Sequence, residues 1–573
     1  MLIVSLSVLG VLVIAVAWVG VRALMAKSEL DAIVPMVDDI KSAAAAQDLA
    51  KLGQLSDELA DHSARAAGLT SDPVWRVAEV IPGAGPNLAA VRIVSAQLDA
   101  VSHRAVVPLV DLAADAQKQS SAGSLDVAGL AAAAKPLTAA AATVRTAAAD
   151  LATIDTSALI APLATGVERV RSVVDTADTT VAPLAQAASV LPALLGADGP
   201  RTLLLVIQNN AELRTGGGIT GTFLEMRAAD GKLSMTGIAD SREFPYRQKP
   251  IVPIPSALTT LYGDVVGRFV QDASIPPDFD LTGRLVSAWW SSRTGHSPDA
   301  VVSIDPIVLK SLLAATGPVP LPDGTQLSAD DLVQRLLVDP YMTMSSEQQT
   351  VFFAQATAAM FTRLFTQGLD PLAWVQALAA PVRDGRISAW SSVASEQKVL
   401  EKTALGGPQA RQHLAGDDAY AVYLNDNDGG KMATFLKTSI TSGTATCRAD
   451  GRRTVAVDVS VTSTAPANAE SFPISMTGGG LWGVGAGDIG LIVSVSAPKG
   501  AFFGGVSLDG TILPSANATD AGFAVSAAHV NLQPGETNVL QFRFILDRAG
   551  TPVILHTPLL NDPEIATATP RCD

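Results

Sequence analysis

RTLLLVIQNNAELRTGGGITGTFLEMRAADGKLSMTGIAD, residues 201–240, is the stretch on which the fold of this chain turns. RTLLLVIQ is an unbroken apolar run bounded by polar residues, which reads as a strand buried on both faces. FLEMRAADGKLSMTGIA then predicts two strands around a turn at Asp230-Gly231. Downstream come VVSIDP (strand), IVLKSLLAATG (helix), PVPLPDGTQLSADDLVQRLL (turn, cap and helix) and SSEQQTVFFAQATAAMFTRLF (helix). Strands alternating with helices of this length predict an α/β domain over residues 196–412.

Upstream, residues 27–195 read as an Ala-rich helical bundle. Apolar positions recur at 3.6-residue spacing, with breaks expected at Pro82, Pro86, Pro108, Pro136, Pro162 and Pro192. Small alanine side chains let helices approach closely, so an elongated antiparallel bundle acting as a stalk is expected, with a surface for partner helices as the other reading. From Asp417 the helices stop. AYAVYLN, ATFLKTSITSG, TVAVDVSVTST, IGLIVSVSAP, GFAVSAAHVNL and NVLQFRFIL are short alternating strands, which predicts a β-sandwich over 413–573.

Leu2 to Val21 is a twenty-residue run without a charge. At 1.5 Å per residue it would cover about 30 Å, the thickness of a bilayer core, so residues 1–26 are expected to be a transmembrane anchor. A cleaved signal peptide is the rival, but no basic residue precedes the run and the best cut, after Ala26, places Leu24 at the third-last position. Arg22 and Lys27 lean towards a cytoplasmic body. The only two cysteines, Cys447 and Cys572, lean outward, because two cysteines in an all-β region suit an exported, disulfide-closed domain; two buried thiols are the alternative. The expectation is a single-pass cell-membrane protein with its bulk extracytoplasmic.

Hydrophobic residues make up 48% of the chain and aromatics only 5%, so the excess is Ala, Val and Leu. The formal charge of −15, from 40 basic and 55 acidic residues without a basic cluster, argues against a nucleic-acid partner. His62, His103, His296, His413, His529 and His556 are scattered, with no HExxH and no CxxC, which argues against a zinc site. There is no GxSxG and no Walker A. Gly485-Ala-Gly-Asp-Ile-Gly490 matches GxGxxG in letters but runs into a strand instead of a helix, so it reads as a glycine-rich loop. Asn425-Asp426-Asn427-Asp428-Gly429 would start a calcium loop at Leu424 and end it at Phe435, neither of them a ligand; it reads as a turn, or a cation site of another kind.

The informative segment is Gln208 to Thr222. It follows a strand, where α/β domains place ligand sites. Gly216, Gly217 and Gly218 could expose backbone N–H groups as an anion nest, and Arg214 could supply a bidentate cation. Asn209, Asn210 and Glu212 cluster beside them as further substrate-binding candidates. A glycine-rich surface hairpin with a structural Arg–Glu pair is the other reading.

PRTLLLVIQNNAELRTGGGITGTF and VVSIDPIVLKSLLAATGPVPLPDG resemble the actinobacterial family catalogued as domain of unknown function 4012. DPVWRVAEVIPGAGPNLAAVR and LNDNDGGKMATFL extend that resemblance over nearly the whole chain. The order of features in 200–365 is more distantly similar to the LytR–CpsA–Psr proteins, single-span proteins that transfer lipid-pyrophosphate-linked glycans onto peptidoglycan. GTFLEMRAADGKLSMTGIADSRE resembles that family's hairpin ending in an Arg–Asp pair, and SSEQQTVFF its Arg-Gln-Gln helix start. The resemblance departs at Ile219-Thr220-Gly221, where that family has Arg-Ser-Asp. It departs again at Leu337 to Asp339, where its arginines are missing and Arg335 is nearest. The expected fold class is therefore multidomain: transmembrane helix, all-α bundle, α/β LytR–CpsA–Psr-like domain and C-terminal β-sandwich.

Two functions are expected. The first is a non-catalytic cell-envelope role in binding or assembly, with a polyprenyl-pyrophosphate glycan or cell-wall polymer as partner. The alternative, which the resemblance implies, is a glycosyl-phosphotransferase in which Arg214 and Arg242 clamp the pyrophosphate and Asp240 holds Mg²⁺ or Mn²⁺ or acts as base.

Overall fold

In the computed structural model the described residues are 2–46, 48–119, 127–229, 232–366, 371–481, 483–548 and 550–569. The chain divides into two compact units, one holding residues 1–121 and 126–192 and the other residues 193–573.

The first unit is all helix: α1 (Leu2–Ala45), α2 (Leu49–Thr70), α3 (Pro73–Ala78), α4 (Gly85–Val101), α5 (Val107–Gln119), α6 (Val127–Ala152) and α7 (Ala161–Leu194). Its core is thin and alanine-rich, with Ala90, Ala140, Val144, Ala147 and Leu151 buried together. Not every proline breaks a helix. Pro136 lies inside α6 and Pro192 inside α7, where each removes one backbone donor while the flanking turns keep theirs. Ahead of Pro108 the chain widens into a π-turn at Ser102–Val106, which absorbs the missing donor without ending the helix.

The expected anchor at residues 1–26 is corrected here, and with it the membrane partner and the single-pass, extracytoplasmic placement. Among the described residues no helix is long and apolar enough to cross a membrane. The apolar run is the first part of a 44-residue helix that continues through Arg22, Lys27, Glu29 and Asp31. That end is docked within the helical unit. Val19 and Ala26 are buried, and Arg22 donates to the Leu69 and Gly68 carbonyls at 2.8 and 2.7 Å and pairs with Asp72 at 3.0 Å.

The second unit opens with the stretch quoted first. β1 (Arg201–Asn209), β2 (Ile219–Ala229), β3 (Lys232–Asp240) and β4 (Ala300–Ile304) form a mixed sheet with β7 (Ser388–Ser391), in the order β3-β2-β1-β4-β7. Only β1 and β4 pair in parallel, Leu203 to Ile207 against Ala300 to Ile304. The expected turn at Asp230-Gly231 lies outside the described residues. β1 is central, and its alternation explains its unbroken apolar run. Leu204 and Val206 pack with Trp289 and Trp290 of a helix on one face, whereas Leu205 and Ile207 pack against a second helical layer on the other.

α8 (Ser256–Tyr262) and α9 (Phe279–Thr294) lie on the first side. The second side holds α10 (Pro306–Thr316), α11 (Leu332–Leu337), α12 (Asp339–Thr343), α13 (Ser346–Phe361) and α14 (Pro371–Arg383), with the two-stranded β5 (Val319–Pro320) and β6 (Gln326–Leu327). Local chemistry fixes the starts of these helices. Asp305 caps α10 by accepting from the Val308 N–H at 3.0 Å with Pro306 following, and Ser345 with Gln348 forms a capping box on α13.

The remaining strands make a sandwich of two sheets. β8 (Ala419–Asp426), β9 (Leu436–Cys447), β10 (Arg453–Ser463), β11 (Ile489–Lys499), β12 (Phe502–Leu508) and β13 (Thr511–Leu513) come first. β14 (Ala516–Asp520), β15 (Phe523–Leu532), β16 (Thr537–Leu546), β17 (Val553–His556) and β18 (Glu564–Thr567) follow. The sheet orders are β13-β12-β16-β10-β9-β18 and β14-β15-β11-β8-β17. Val457, Val459 and Val461 face Leu491, Val493 and Val495 across a core in which all six are fully buried. Cys447 ends β9 and is not a free thiol. Its expected partner Cys572 lies outside the described residues, so that bridge is not among the described contacts.

The sandwich is fused to the α/β layers. The Asp426 N–H donates to the Leu213 carbonyl at 2.9 Å, the Thr215 N–H to Asn425 Oδ1 at 2.8 Å, and the Tyr262 and Ser494 hydroxyls meet at 3.0 Å.

Candidate functional site

A cleft of about 340 Å³ opens where β1 ends, beside α10 and α13, and reaches loops of the sandwich. This is the carboxyl end of the parallel β1–β4 pair, a position that α/β layers leave open for ligands. Its inner wall is apolar: Leu309, Leu336, Leu337, Phe353, Ala356 and Met360. Its mouth is polar, with Gln208, Asn209, Glu212, Asp240, Arg242 and Lys431 among the lining residues.

Both cations at the mouth are already neutralised. Arg242 lies at the end of β3, where Asp240 caps a short 3₁₀ turn. Its Nε and Nη2 donate to the Asp240 carboxylate at 2.8 and 3.2 Å, and Nη2 also donates to Thr350 at 3.0 Å. The Asp240 carboxylate beside it holds the guanidinium above the usual arginine range, against a smaller opposing effect of burial. Lys431 Nζ donates to Glu212 Oε2 at 2.6 Å and lies 4.6 Å from the centre of the Tyr341 ring. Burial works against the Lys431 charge, but Glu212 and Tyr341 outweigh it and raise its pKa. Burial also raises the Tyr341 phenol, whose oxygen accepts from Asn209 Nδ2 at 3.1 Å.

The structure brings only some of the candidate residues together. Asn209, Glu212, Asp240 and Arg242 line the cleft; Asn210, Arg214 and the three glycines are not among its lining residues. Arg214 is buried against Asp272, with Nε and Nη2 at 2.9 and 2.8 Å from Oδ1, and its Nη1 donates to the Leu213 and Asp426 carbonyls. Burial opposes its charge, but Asp272, Asp426 and Glu212 outweigh that and raise its pKa. Asn210 is fully buried and donates to Asp305 Oδ2 and the Pro558 carbonyl, both at 3.1 Å.

The glycines serve close packing. The Gly216 and Gly217 N–H groups donate to the Ser274 and Arg214 carbonyls at 3.0 and 2.7 Å, so they are spent within the protein. A Cβ on Gly218 would sit 2.1 Å from the Asn209 carbonyl oxygen, which only glycine avoids. The segment Gln208 to Thr222 is thus a joint between layers, and of its residues Gln208, Asn209, Glu212, Ile219, Gly221 and Thr222 line the cleft. The expected structural pairing of Arg214 does occur, but with Asp272, while Glu212 takes Lys431.

The donor set at Asp240 does not fit Mg²⁺ or Mn²⁺. Both carboxylate oxygens are engaged by Arg242, and the nearest other acid at the mouth, Glu212, is held by Lys431. Among the described residues there is no group of three or more His, Cys, Asp or Glu that could hold a metal.

Lys431 and Tyr341 were missed by sequence reasoning. Lys431 sits in LNDNDGGKMATFL, a segment that resemblance had marked, but 219 residues separate it from Glu212. No curated protein and no solved structure matches the chain. Residues 198–341, which carry β1 to β4 and one wall of this cleft, match the family described as protein of unknown function DUF4012.

Proposed function

We propose that the protein is a non-catalytic binding protein whose α/β layers, organised like those of LytR–CpsA–Psr proteins, hold an amphipathic glycan-bearing lipid. One observation carries this reading: the cleft joins an apolar wall to a polar mouth in which Arg242 and Lys431 are each already paired with a carboxylate. An apolar chain entering between α10 and α13 would gain about 25 cal/mol for each Å² removed from water. Gln208, Asn209 and the Tyr341 hydroxyl would serve a hydroxylated head, since they donate and accept without net charge. A transferase acting on a pyrophosphate would draw on cations free to meet the developing charge, whereas Arg242 and Lys431 are each paired with a carboxylate.

Calorimetric titration of the full-length chain with a geranyl-linked disaccharide, below its micelle concentration, tests the reading. Saturable binding is expected, and Ala356→Trp, which fills the apolar wall, should weaken it by roughly ten-fold or more. Geranylgeranyl pyrophosphate should release no phosphate with Mg²⁺ or Mn²⁺ present. Absence of saturable binding, or a phosphate release that Asp240→Asn abolishes, would overturn it.

A further inference from the structure

On the opposite side of the same sheet, a second and more open groove of about 560 Å³ runs between α9 and the segment 247–252. Its α9 wall presents Arg284, Ser287, Ala288 and Ser291, whose spacing of three, one and three residues keeps them on one helical face. Arg247 stands on the facing wall and Trp390 closes the floor. Among the described residues no acidic one lines the groove, although the whole chain carries a formal charge of −15.

Arg247 is the unusual member. A guanidinium has five N–H donors and, when structural, normally meets a carboxylate or several carbonyls. Here Nη2 donates to the Ser292 hydroxyl at 2.5 Å, and the plane rests 5.3 Å from the Trp289 ring centre. Nε is buried with no partner. The backbone is fixed, since the Arg247 N–H donates to the Arg268 carbonyl at 3.0 Å and Arg268 Nε returns to the Arg247 carbonyl at 3.3 Å. At the other end Arg284 is positioned by Asp280 at 2.9 Å, whose second oxygen accepts from Trp390 Nε1 at 2.9 Å. Among the described residues no hydrogen-bond partner is found for the Ser287 or Ser291 hydroxyl.

We propose that this groove is a binding site for an oxyanion, a phosphate or carboxylate group carried by a small hydrophilic ligand. Arg247 provides the charge-assisted donors, Ser287 and Ser291 add neutral donors from the α9 wall, and Arg284 closes the end with a partly compensated charge. The site is separate from the apolar cleft and does not depend on the function proposed for it.

The test is isothermal titration of the full-length chain, at constant ionic strength, with inorganic phosphate, with glucuronate and with glucose as a neutral control. Phosphate or glucuronate should bind saturably at about millimolar affinity and glucose should not. Arg247→Gln should weaken binding by roughly ten-fold or more, the size of a lost charge-assisted hydrogen bond. The Ser287→Ala, Ser291→Ala double variant, which removes only two hydroxyls, should weaken it roughly three-fold or more even if Arg247→Gln does not fold. Arg227→Gln, at an exposed position of β2, should leave it unchanged. Phosphate alone binding assigns a phosphoryl ligand, and glucuronate alone an acidic sugar. No saturable binding, binding indifferent to both groove variants, or an equal loss in Arg227→Gln would overturn the proposal.

Discussion

Asp426 and Asp428 show how much a single pair of side chains can govern at the joint between the α/β layers and the sandwich. Asp426 Oδ1 accepts from the Asp428 and Gly429 N–H groups, and Asp428 accepts from the Gly430 and Gly490 N–H groups. The two carboxyls interact directly, and burial followed by mutual repulsion pushes Asp426 well above the usual carboxylate range. Burial raises Asp428 as well. A carboxyl with a raised folded pKa binds more protons folded than unfolded. Its folded state therefore loses stability as pH rises from the unfolded value, near 4, through the raised value, and stays disfavoured above it. Asp426→Asn keeps Oδ1 as acceptor and turns Oδ2 into a donor towards Asp428. It should stabilise the protein by roughly 1–3 kcal/mol at pH 8 and by almost nothing near pH 4. Urea titrations at several pH values measure this; a variant that is equally stabilising at both ends, or destabilising at pH 8, would sink the idea. The sequence reads NDND as a turn or a cation site, whereas Asn425 and Asp426 end β8 and the chain bends only after them, and nothing local could tell that both carboxyls are buried. That depends on Gly490 and on Arg214, contributed from distant parts of the chain.

Elements were far more legible than the site they build. The unbroken apolar run of β1, the Asp-Pro start of α10 and the Ser-x-x-Gln start of α13 each carry their reason within a few residues, although Asp305 and Pro306, expected at the end of a strand, instead cap and open α10. The cleft is different, because its walls come from β1, α10, α11, α13 and a sandwich loop, and no spacing in the sequence brings Lys431 to Glu212. The apolar run at the N-terminus failed for the complementary reason: length and hydropathy alone do not show that Arg22 is bonded to the end of α2. At this scale α13 is the element on which the proposed binding depends, as it supplies Phe353, Ala356 and Met360. Its first turn is held by Ser345, whose hydroxyl accepts from the Gln348 N–H at 3.3 Å while Gln348 Oε1 accepts from the Ser345 N–H at 2.9 Å. Ser345→Ala removes half of this box and should cost about 1 kcal/mol of stability. It should also raise exchange of the amides at the start of α13 selectively, as read by hydrogen-exchange mass spectrometry. Uniform exchange across the α/β layers would show that tertiary packing, and not the cap, fixes this end.

For the molecule as a whole, the second unit is bound together by a buried arginine. Arg386, just ahead of β7, donates from Nη1 to Asp305 Oδ2 at 2.8 Å and from Nη2 to the Leu559 carbonyl at 2.8 Å and Asp562 at 3.1 Å. Asp305 simultaneously caps α10 and receives Asn210. One guanidinium therefore links the α/β sheet, the first turn of a cleft-lining helix and the segment that follows β17. Its side chain is 5% exposed and that of Asp305 only 1%, so removing the cation leaves a carboxylate buried without its counter-charge. Breaking such a pair costs roughly 3–5 kcal/mol, far more than a surface ion pair. Asp562, by contrast, is 80% exposed, and its share of the link should be negligible. Arg386→Met is therefore expected to lower the urea midpoint strongly, and Asp562→Asn hardly at all. Because the lost contacts lie on both sides of the joint, β1 and β11 peptides should lose hydrogen-exchange protection at the same urea concentration. If β11 keeps its protection while β1 opens, the sandwich is stable without the α/β layers and Arg386 acts on one side only. Coincident loss would mean that the cleft, whose mouth includes Lys431 from the sandwich side, exists only while both halves are folded.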